Sequence, residues 1–272
     1  MDVRPSGLAA AVRSLTDPAT ALKTLHWGRN YLYLARLETA AGPVEVVVKQ
    51  FRHRNARERL KRRLAGSKAA KSWRAAHALL AAGLQTPEPV AWIEPAGEEG
   101  PAFYVCRYLP DTTEARYLFR AANAGEEAER FPQVDFPAFV EVLGRTARRL
   151  HDAGFWHRDL SGGNLLLRFG PDRRPMDVYL LDLNRARMGK PPSVSERLRD
   201  LSRLALFRPE HQELLLRSYW GGPVSALRRD LYLAYHHGFR WKNASKQRLR
   251  GGRDRLKRLL LPRGAHAHIP EA

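Results

Sequence analysis

The first half of the chain alternates apolar and polar residues in the pattern of β-strands. Residues 32–38 and 44–51 are rich in apolar and β-branched side chains, and they flank the segment 40–43, which contains Gly and Pro. Such a segment between two apolar runs is typical of a tight turn. We therefore predict a β-hairpin, followed later in this half by short strands at residues 90–93 and 102–109.

A helix is predicted between these strands, over residues 67–80. Ser67 is a candidate N-cap and Gly83 lies just past the end, as is common for helix boundaries. The apolar residues fall at helical spacing. They are Trp73, Ala76, Leu79 and Leu80.

The second half of the chain has the longer spacing of helices. Residues 136–152 carry an apolar stripe, with Asp135 as a candidate cap and Gly154 as a candidate stop. Two short apolar runs follow, at residues 164–168 and 178–181, and both read as strands. From residue 196 onward the pattern is mainly helical.

This order of elements predicts an α+β chain with two lobes. Turn signals near residues 109–112 separate a strand-rich part from a helix-rich part. We assign residues 1–109 to an N-lobe, with an antiparallel sheet and one helix, and residues 110–272 to a mainly helical C-lobe.

The composition indicates a chain that is large and apolar enough to bury a core, and its cysteine content is typical of a reducing compartment. It has 272 residues, is 44% hydrophobic, and its only cysteine is Cys106, so no intramolecular disulfide can form. No apolar run reaches the roughly 18 residues of a membrane span, and the N-terminus lacks the pattern of a signal peptide. We expect a cytoplasmic protein.

The net charge of +19 is the strongest feature of the composition. Residues 49–74 contain one acidic residue, Glu58, and residues 240–263 contain one, Asp254. A surface this basic attracts polyanions, which leaves nucleic acid, an anionic membrane surface, a nucleotide or a phosphorylated substrate as candidate partners. Solvated helix faces that only confer solubility would give the same count.

Three oxygen-bearing side chains stand at the ends of the apolar runs in the second half. Residues 157–164 read His-Arg-Asp-Leu-Ser-Gly-Gly-Asn, and Asp182 follows the run 178–181. Phosphoryl transfer requires an oriented acceptor hydroxyl, a group that takes its proton, and hard cations bound by oxygen ligands. We predict that Asp159 takes the proton and that Asn164 and Asp182 hold Mg²⁺. The alternative is an incidental turn with a capping Asp.

These residues resemble the catalytic and metal loops of the protein-kinase superfamily, His-Arg-Asp-Leu-x-x-x-Asn followed by a metal-binding Asp. The resemblance implies a two-lobed fold, ATP and Mg²⁺ as cofactors, and a lysine that binds the α- and β-phosphates. Lys49 follows the apolar run Val46-Val47-Val48 and precedes the helix, as in that superfamily. A solvated strand lysine is the other interpretation.

A narrower resemblance is to the lipopolysaccharide kinase (Kdo/WaaP) family. It rests on residues 155–166 and 181–187, and on residues 67–73 and 83–87. It covers roughly residues 45–210. The resemblance implies phosphorylation of a sugar hydroxyl, on Kdo or heptose, in the inner core of lipopolysaccharide. An anionic glycolipid would be the partner, met through peripheral contact with the cytoplasmic face of the inner membrane.

The N-lobe departs from the protein-kinase pattern. The loop that covers the phosphates should be rich in glycine, but residues 26–31 contain only Gly28, so Arg29 is expected to supply charge there. The predicted helix lacks the Glu that should pair with Lys49, and Glu58 is the nearest candidate. Asp-Leu-Asn replaces Asp-Phe-Gly at Asp182.

The C-lobe departures favour a small molecule or a glycan as acceptor. Ser161 replaces a common lysine, and Gly162 and Gly163 are expected to leave room beside Asp159 for a bulky acceptor. No Ala-Pro-Glu triplet follows. Asp200 could anchor the catalytic loop from below, or it could be a surface residue among arginines.

Three other functions remain open. One is a kinase for another small molecule or for protein, and the second is a pseudokinase that binds nucleotide without turnover. The intact Asp159, Asn164 and Asp182 argue against the pseudokinase. The third is a nucleic-acid-binding protein, expected to show a steep salt dependence of binding, and we regard nucleic acid as the less favoured partner.

Overall fold

The computed structural model of the protein describes residues 5–28, 30–52, 66–94 and 100–260. Antiparallel sheets and helices make up these residues, so the predicted α+β class is confirmed. The strands are β1 Lys23–Trp27, β2 Asn30–Thr39, β3 Gly42–Phe51, β4 Pro89–Ile93, β5 Ala102–Arg107, β6 Thr113–Glu114, β7 Leu165–Phe169 and β8 Pro175–Leu180. The helices are α1 Pro5–Ser14, α2 Lys68–Ala81, α3 Ala115–Ala124, α4 Glu127–Arg130, α5 Phe136–Asp152, α6 Val194–Leu201, α7 Pro209–Trp220 and α8 Ala226–Leu260.

The N-lobe is built on a five-stranded antiparallel sheet in the order β1-β2-β3-β5-β4. On β3, Val46 and Val48 are buried on the face that also packs against Leu15, just after α1. Because side chains alternate along a strand, Lys49 points to the opposite face. It lies opposite Tyr104 of β5, and Tyr104 belongs to the core that continues into the C-lobe.

Helix α2 begins at its predicted cap. The Ser67 hydroxyl accepts a hydrogen bond from the Ala70 amide at 3.0 Å, and Gly83 past the end has φ 70°. Leu80, which the sequence placed on the apolar stripe, is exposed instead. The buried face consists of Ala69, Ser72, Ala75, Ala76 and Leu79. It packs against β4, β5 and the turn Leu183–Arg185, so α2 reaches the C-lobe.

The C-lobe combines a small sheet, β6-β7-β8, with α3 to α8. The predicted helix α5 is capped by the Asp135 carboxylate, which accepts from the Ala138 amide at 3.0 Å. Gly154 past its end has φ 83°. The predicted hairpin is formed by β7 and β8, and Asp182 follows shortly after β8 ends.

The two lobes share one hydrophobic core, which includes Phe51 and Leu79 from the N-lobe and Leu160 from the C-lobe. Hydrogen bonds also join them. The Thr86 hydroxyl donates to the Leu180 carbonyl at 2.7 Å, and the Leu180 amide donates to the Gln85 carbonyl at 2.9 Å. The boundary proposed after residue 109 falls in the link between β5 and β6. Among the described helices, none has both the length and the apolar character that a bilayer span requires.

Candidate active site

The loop from His157 to Asn164 is held from below by a buried carboxylate. Asp200 of α6 is fully buried, and it accepts hydrogen bonds from the His157 amide at 2.9 Å and the Arg158 amide at 3.3 Å. Arg158 itself has φ 67°, in the left-handed region. Of the two interpretations of Asp200, an anchor below the loop or a surface residue, its burial and these hydrogen bonds support the anchor.

The His157 side chain fixes the other side of the same loop. It is buried, and its Nε2 atom lies 3.0 Å from the Leu181 carbonyl oxygen, so Nε2 carries the proton of this hydrogen bond. Burial lowers the pKa of His157, which keeps the ring neutral at neutral pH. The loop is thus joined to the residue that precedes Asp182.

We expect Asp200→Ala to lower the free energy of unfolding by about 3 kcal/mol, because it leaves buried amide donors without an acceptor. Urea denaturation measures the change. Asp230→Ala, at an exposed position on α8, is the control and should change stability by less than about 0.5 kcal/mol. Equal stability of both variants would show that the amides at 157 and 158 find other partners.

Lys49, Asp182, Asn164 and Asp159 are connected by short polar contacts at the edge between the lobes. The Lys49 ammonium lies 2.5 Å from Asp182 Oδ1. The Asn164 side-chain amide donates to the Asp159 carbonyl at 2.8 Å, and the Leu181 amide donates to the Asn164 carbonyl at 2.9 Å. The structure therefore joins the side chains of Lys49 and Asp182 directly, and it places the loop that carries Asn164 and Asp159 beside them through hydrogen bonds to backbone carbonyls.

Asp182 carries a negative charge at neutral pH. Burial alone would raise the pKa of its carboxyl, but Lys49 and the other nearby groups, Arg185 among them, together outweigh burial, and the pKa is lowered. The Asn184 amide also donates to Asp182 Oδ1. Asp182 has φ 56°, an uncommon conformation for a residue other than Gly, and Leu181 separates it from the end of β8 at Leu180.

The donor set at this edge fits a magnesium ion. The Asn164 Nδ2 group is engaged by the loop, while its Oδ1 atom accepts no hydrogen bond from the part of the chain that the structure describes. Together with the Asp182 carboxylate it offers two oxygen ligands, and Mg²⁺ usually takes one or two protein oxygens and completes its shell with phosphate and water. Within the described residues no cluster of three His, Cys, Asp or Glu side chains forms a metal site.

Gly28 lies at the β1–β2 turn, just before β2 begins at Asn30. Lys49 pairs with Leu32, the third residue of β2. The Gly28 amide donates to the Asn30 carbonyl at 3.2 Å. Arg29 lies outside the described residues, as does Glu58, the candidate partner of Lys49.

Among the described residues, the acidic partner of Lys49 is Asp182. Helix α2 contains no acidic residue, as the sequence indicated. The Lys49 ammonium pairs with the carboxylate of Asp182 across the lobes. Its side chain also lies 5.3 Å from the centre of the Phe51 ring, which supports its position on β3.

The prediction that Gly162 and Gly163 leave room for an acceptor is wrong. A Cβ atom on Gly162 would lie 2.7 Å from the Phe119 ring and 2.9 Å from the Arg116 backbone. On Gly163 it would lie 3.0 Å from the Arg116 guanidinium. The first turn of α3 fills the space, so these glycines permit close packing of a helix on the loop.

Gly162→Ala should therefore destabilise the fold by about 1–3 kcal/mol, since the methyl group meets backbone that cannot move aside easily. Thermal unfolding of the variant tests this. Gly222→Ala is the matched control, because a Cβ atom there meets nothing within 4 Å. If Gly162→Ala unfolds at the wild-type temperature, α3 moves aside to accept the methyl group without loss of stability, and the prediction of close packing is wrong.

The sequence did not indicate that two arginines contact Asp159. Arg185 lies 3.3 Å from Asp159 Oδ2, and Arg203 lies 3.0 Å from Asp159 Oδ1. Arg185 belongs to the turn after Asp182, where its basic charge so close to the metal motif was a usable signal. Arg203 is 44 residues from Asp159 and had no such signal.

Comparisons with known proteins identify the family and support the fold. The model of the lipopolysaccharide kinase (Kdo/WaaP) family matches residues 29–220. Among solved structures, WaaP in complex with acyl carrier protein is similar with TM-score 0.56 and 20% sequence identity, covering 89% of this chain and 92% of that chain. WbdD in a co-crystal with the kinase inhibitor LY294002 has TM-score 0.45 and 20% identity, covering 79% of this chain and 45% of that chain.

No curated protein sequence matches the chain. The likeness to WaaP supports the fold, and the predicted two-lobed, kinase-like α+β architecture is confirmed. The family match includes β2, β3, the catalytic loop, Asp182 and helices α2 to α7. The chain therefore belongs to the lipopolysaccharide kinase (Kdo/WaaP) family, and it is a phosphotransferase of the kinase type.

Proposed function

We propose that the protein transfers the γ-phosphate of ATP to a sugar hydroxyl of the lipopolysaccharide inner core, on Kdo or heptose. Membership of the family supports the reaction class. The observation that carries the proposal is the 2.5 Å contact between Lys49 and Asp182 across the lobes, with Asn164 and Asp159 on the adjoining loop.

Each of these side chains has a role that matches its chemistry. The Lys49 ammonium would bind oxygens of the α- and β-phosphates. Asn164 Oδ1 and the Asp182 carboxylate would hold Mg²⁺, which neutralises charge between the β- and γ-phosphates. Because Lys49 and Asp182 are in contact, the phosphates and the cation would be held side by side at one edge of the cleft.

Asp159 would be the catalytic base. Its carboxylate would accept the proton of the acceptor hydroxyl while the hydroxyl oxygen forms a bond to the γ-phosphorus. The bond from that phosphorus to the β–γ bridging oxygen breaks, and ADP leaves with the electron pair. The bond from the Asn164 amide to the Asp159 carbonyl would keep the base in line with the metal ligands.

The β1–β2 turn would cover the phosphates, with Gly28 and Arg29 as its tip. Only one glycine is present, and its amide is engaged with the Asn30 carbonyl. The charge of Arg29 would therefore contribute more to phosphate binding than backbone amides would. This assignment rests on the resemblance to protein kinases.

The acceptor would be an anionic glycolipid, met at the cytoplasmic face of the inner membrane. The net charge of +19 favours such a partner. The sequence of α8 has eleven Lys or Arg residues and two Asp residues, and Trp241 on this helix is 75% exposed. A basic helix with an exposed aromatic side chain suits an anionic bilayer surface, so we propose peripheral membrane contact through α8.

The function is tested by incubating the protein with labelled ATP and Mg²⁺ in three separate reactions. One reaction contains extracted lipopolysaccharide, one a mixture of proteins, and one RNA. We expect label in the core sugars of lipopolysaccharide only. Label in protein would indicate a protein kinase. Binding of RNA with steep salt dependence and no labelled product would instead favour a nucleic-acid-binding protein.

A further inference from the structure

Both carboxylate oxygens of Asp159 are paired with arginines from different elements. Arg185 comes from the turn that follows Asp182, on the metal side, and it contacts Oδ2 at 3.3 Å. Arg203 comes from the turn Ser202–Leu204 after α6, and it contacts Oδ1 at 3.0 Å. The proposed base thus lies between two guanidinium groups.

These pairs are accessible and can be exchanged. The exposed side-chain fractions are 45% for Arg185, 32% for Arg203 and 30% for Asp159. Ion pairs with this exposure contribute little to stability, since water screens them. A second anion that enters the cleft could therefore take the arginines from Asp159 at small cost.

Both guanidinium groups have N–H donors that make no hydrogen bond to the described residues. A guanidinium has five N–H groups, and among the described residues each of these two makes a single hydrogen bond, to Asp159. The Arg203 guanidinium also lies 5.9 Å from the centre of the Phe239 ring, which helps to hold it at the cleft. Arginine forks bind carboxylate and phosphate groups through two parallel hydrogen bonds.

The pairing also occupies the atoms that the proposed reaction needs. Both carboxylate oxygens of Asp159 accept a hydrogen bond from an arginine, so the acceptor hydroxyl has to compete for them. An acceptor that supplies an anion beside its hydroxyl would give the arginines another partner.

We propose that Arg185 and Arg203 form a receptor for an anionic group, a carboxylate or a phosphate, next to the acceptor hydroxyl. This group replaces Asp159 as the partner of the arginines and leaves the Asp159 carboxylate free to accept the hydroxyl proton. The two arginines are then specificity-determining residues that select acceptors with an anion beside the reacting hydroxyl. This inference rests on the proposed function, since it assigns the acceptor side of the same site.

Inorganic phosphate is the probe for a binding experiment that needs no turnover. With the nucleotide site saturated by ADP and Mg²⁺, phosphate should raise the Tm of the wild-type protein, because it binds the folded state. Arg203→Gln should lose most of this rise. Arg217→Gln, an exposed arginine on α7, is the matched control and should keep it. An equal rise in all three proteins would overturn the proposal, since it would reflect a general salt effect.

Steady-state kinetics with delipidated lipopolysaccharide core form the second arm. Phosphate should inhibit competitively with the core acceptor and not with ATP, and Arg203→Gln should raise the KM for the acceptor and the inhibition constant by about tenfold or more. Inhibition competitive with ATP would assign the arginines to the γ-phosphate and overturn the proposal. If no acceptor is phosphorylated but the Tm result holds, the anion receptor stands and the proposed acceptor falls.

Discussion

Replacement of Asp159 by asparagine is expected to lower kcat by about a hundredfold or more, as when a positioned general base is lost. Asparagine has nearly the same shape, but its amide does not take the proton of the acceptor hydroxyl. The Asn164 amide binds the Asp159 main-chain carbonyl, which the substitution leaves in place. The metal ligands should therefore keep their geometry, and affinity for MgATP should stay close to that of the wild-type protein.

Titration of ATP by calorimetry and turnover at saturating ATP separate the two effects. Asp172→Asn is the control, because Asp172 is an exposed residue of the β7–β8 turn and should leave kcat unchanged. Turnover of Asp159→Asn within about twofold of wild type would remove Asp159 from proton transfer, since a positioned base contributes far more than that. A large loss of ATP affinity would indicate that Asp159 contributes to nucleotide binding instead.

The features that the sequence predicted correctly depend on short stretches of chain. The caps at Ser67 and Asp135 are read from one or two residues and from the periodicity that follows them. The hairpin of β2 and β3 follows from two apolar runs that flank a turn. The catalytic loop and Asp182 were singled out from their spacing along the chain, and the roles assigned to them stay predictions.

The features that the sequence missed depend on residues that are far apart along the chain. Gly162 was taken for an open position, since nothing local indicates that α3 begins against it. The contact between Arg203 and Asp159 joins elements 44 residues apart. Leu80 has helical spacing, but which side of α2 is buried depends on the strands and the turn that it meets.

The partner of Lys49 shows how far a family pattern extends. The sequence alone showed that α2 has no acidic residue, and it offered Glu58, which lies outside the described residues, as the nearest candidate. Among the described residues, the structure pairs Lys49 with Asp182, 133 residues later in the chain. The Asp182 carboxylate thus contacts the lysine as well as being a proposed metal ligand.

Asp182→Asn is therefore expected to weaken MgATP binding by about a hundredfold, because it removes the only charged protein ligand proposed for the metal. Asparagine tolerates the left-handed conformation at this position, so the turn should keep its shape. The lowered pKa of Asp182 means that the wild-type group is ionised at neutral pH, and the substitution removes a full charge. Titration of ATP with Mg²⁺ and with a chelator measures the magnesium-dependent part of the affinity.

Asp177→Asn on β8 provides the matched control for this experiment. Asp177 accepts from the Tyr179 hydroxyl at 3.1 Å and lies 3.6 Å from Arg168, on the outer part of the hairpin. Its loss should leave the magnesium dependence intact. If Mg²⁺ strengthens ATP binding in Asp182→Asn as much as in wild type, the cation is held by other groups, and the Lys49–Asp182 contact is then structural. If ATP binding falls equally with and without Mg²⁺, Asp182 acts through Lys49, whose ammonium would lose its position at the phosphates.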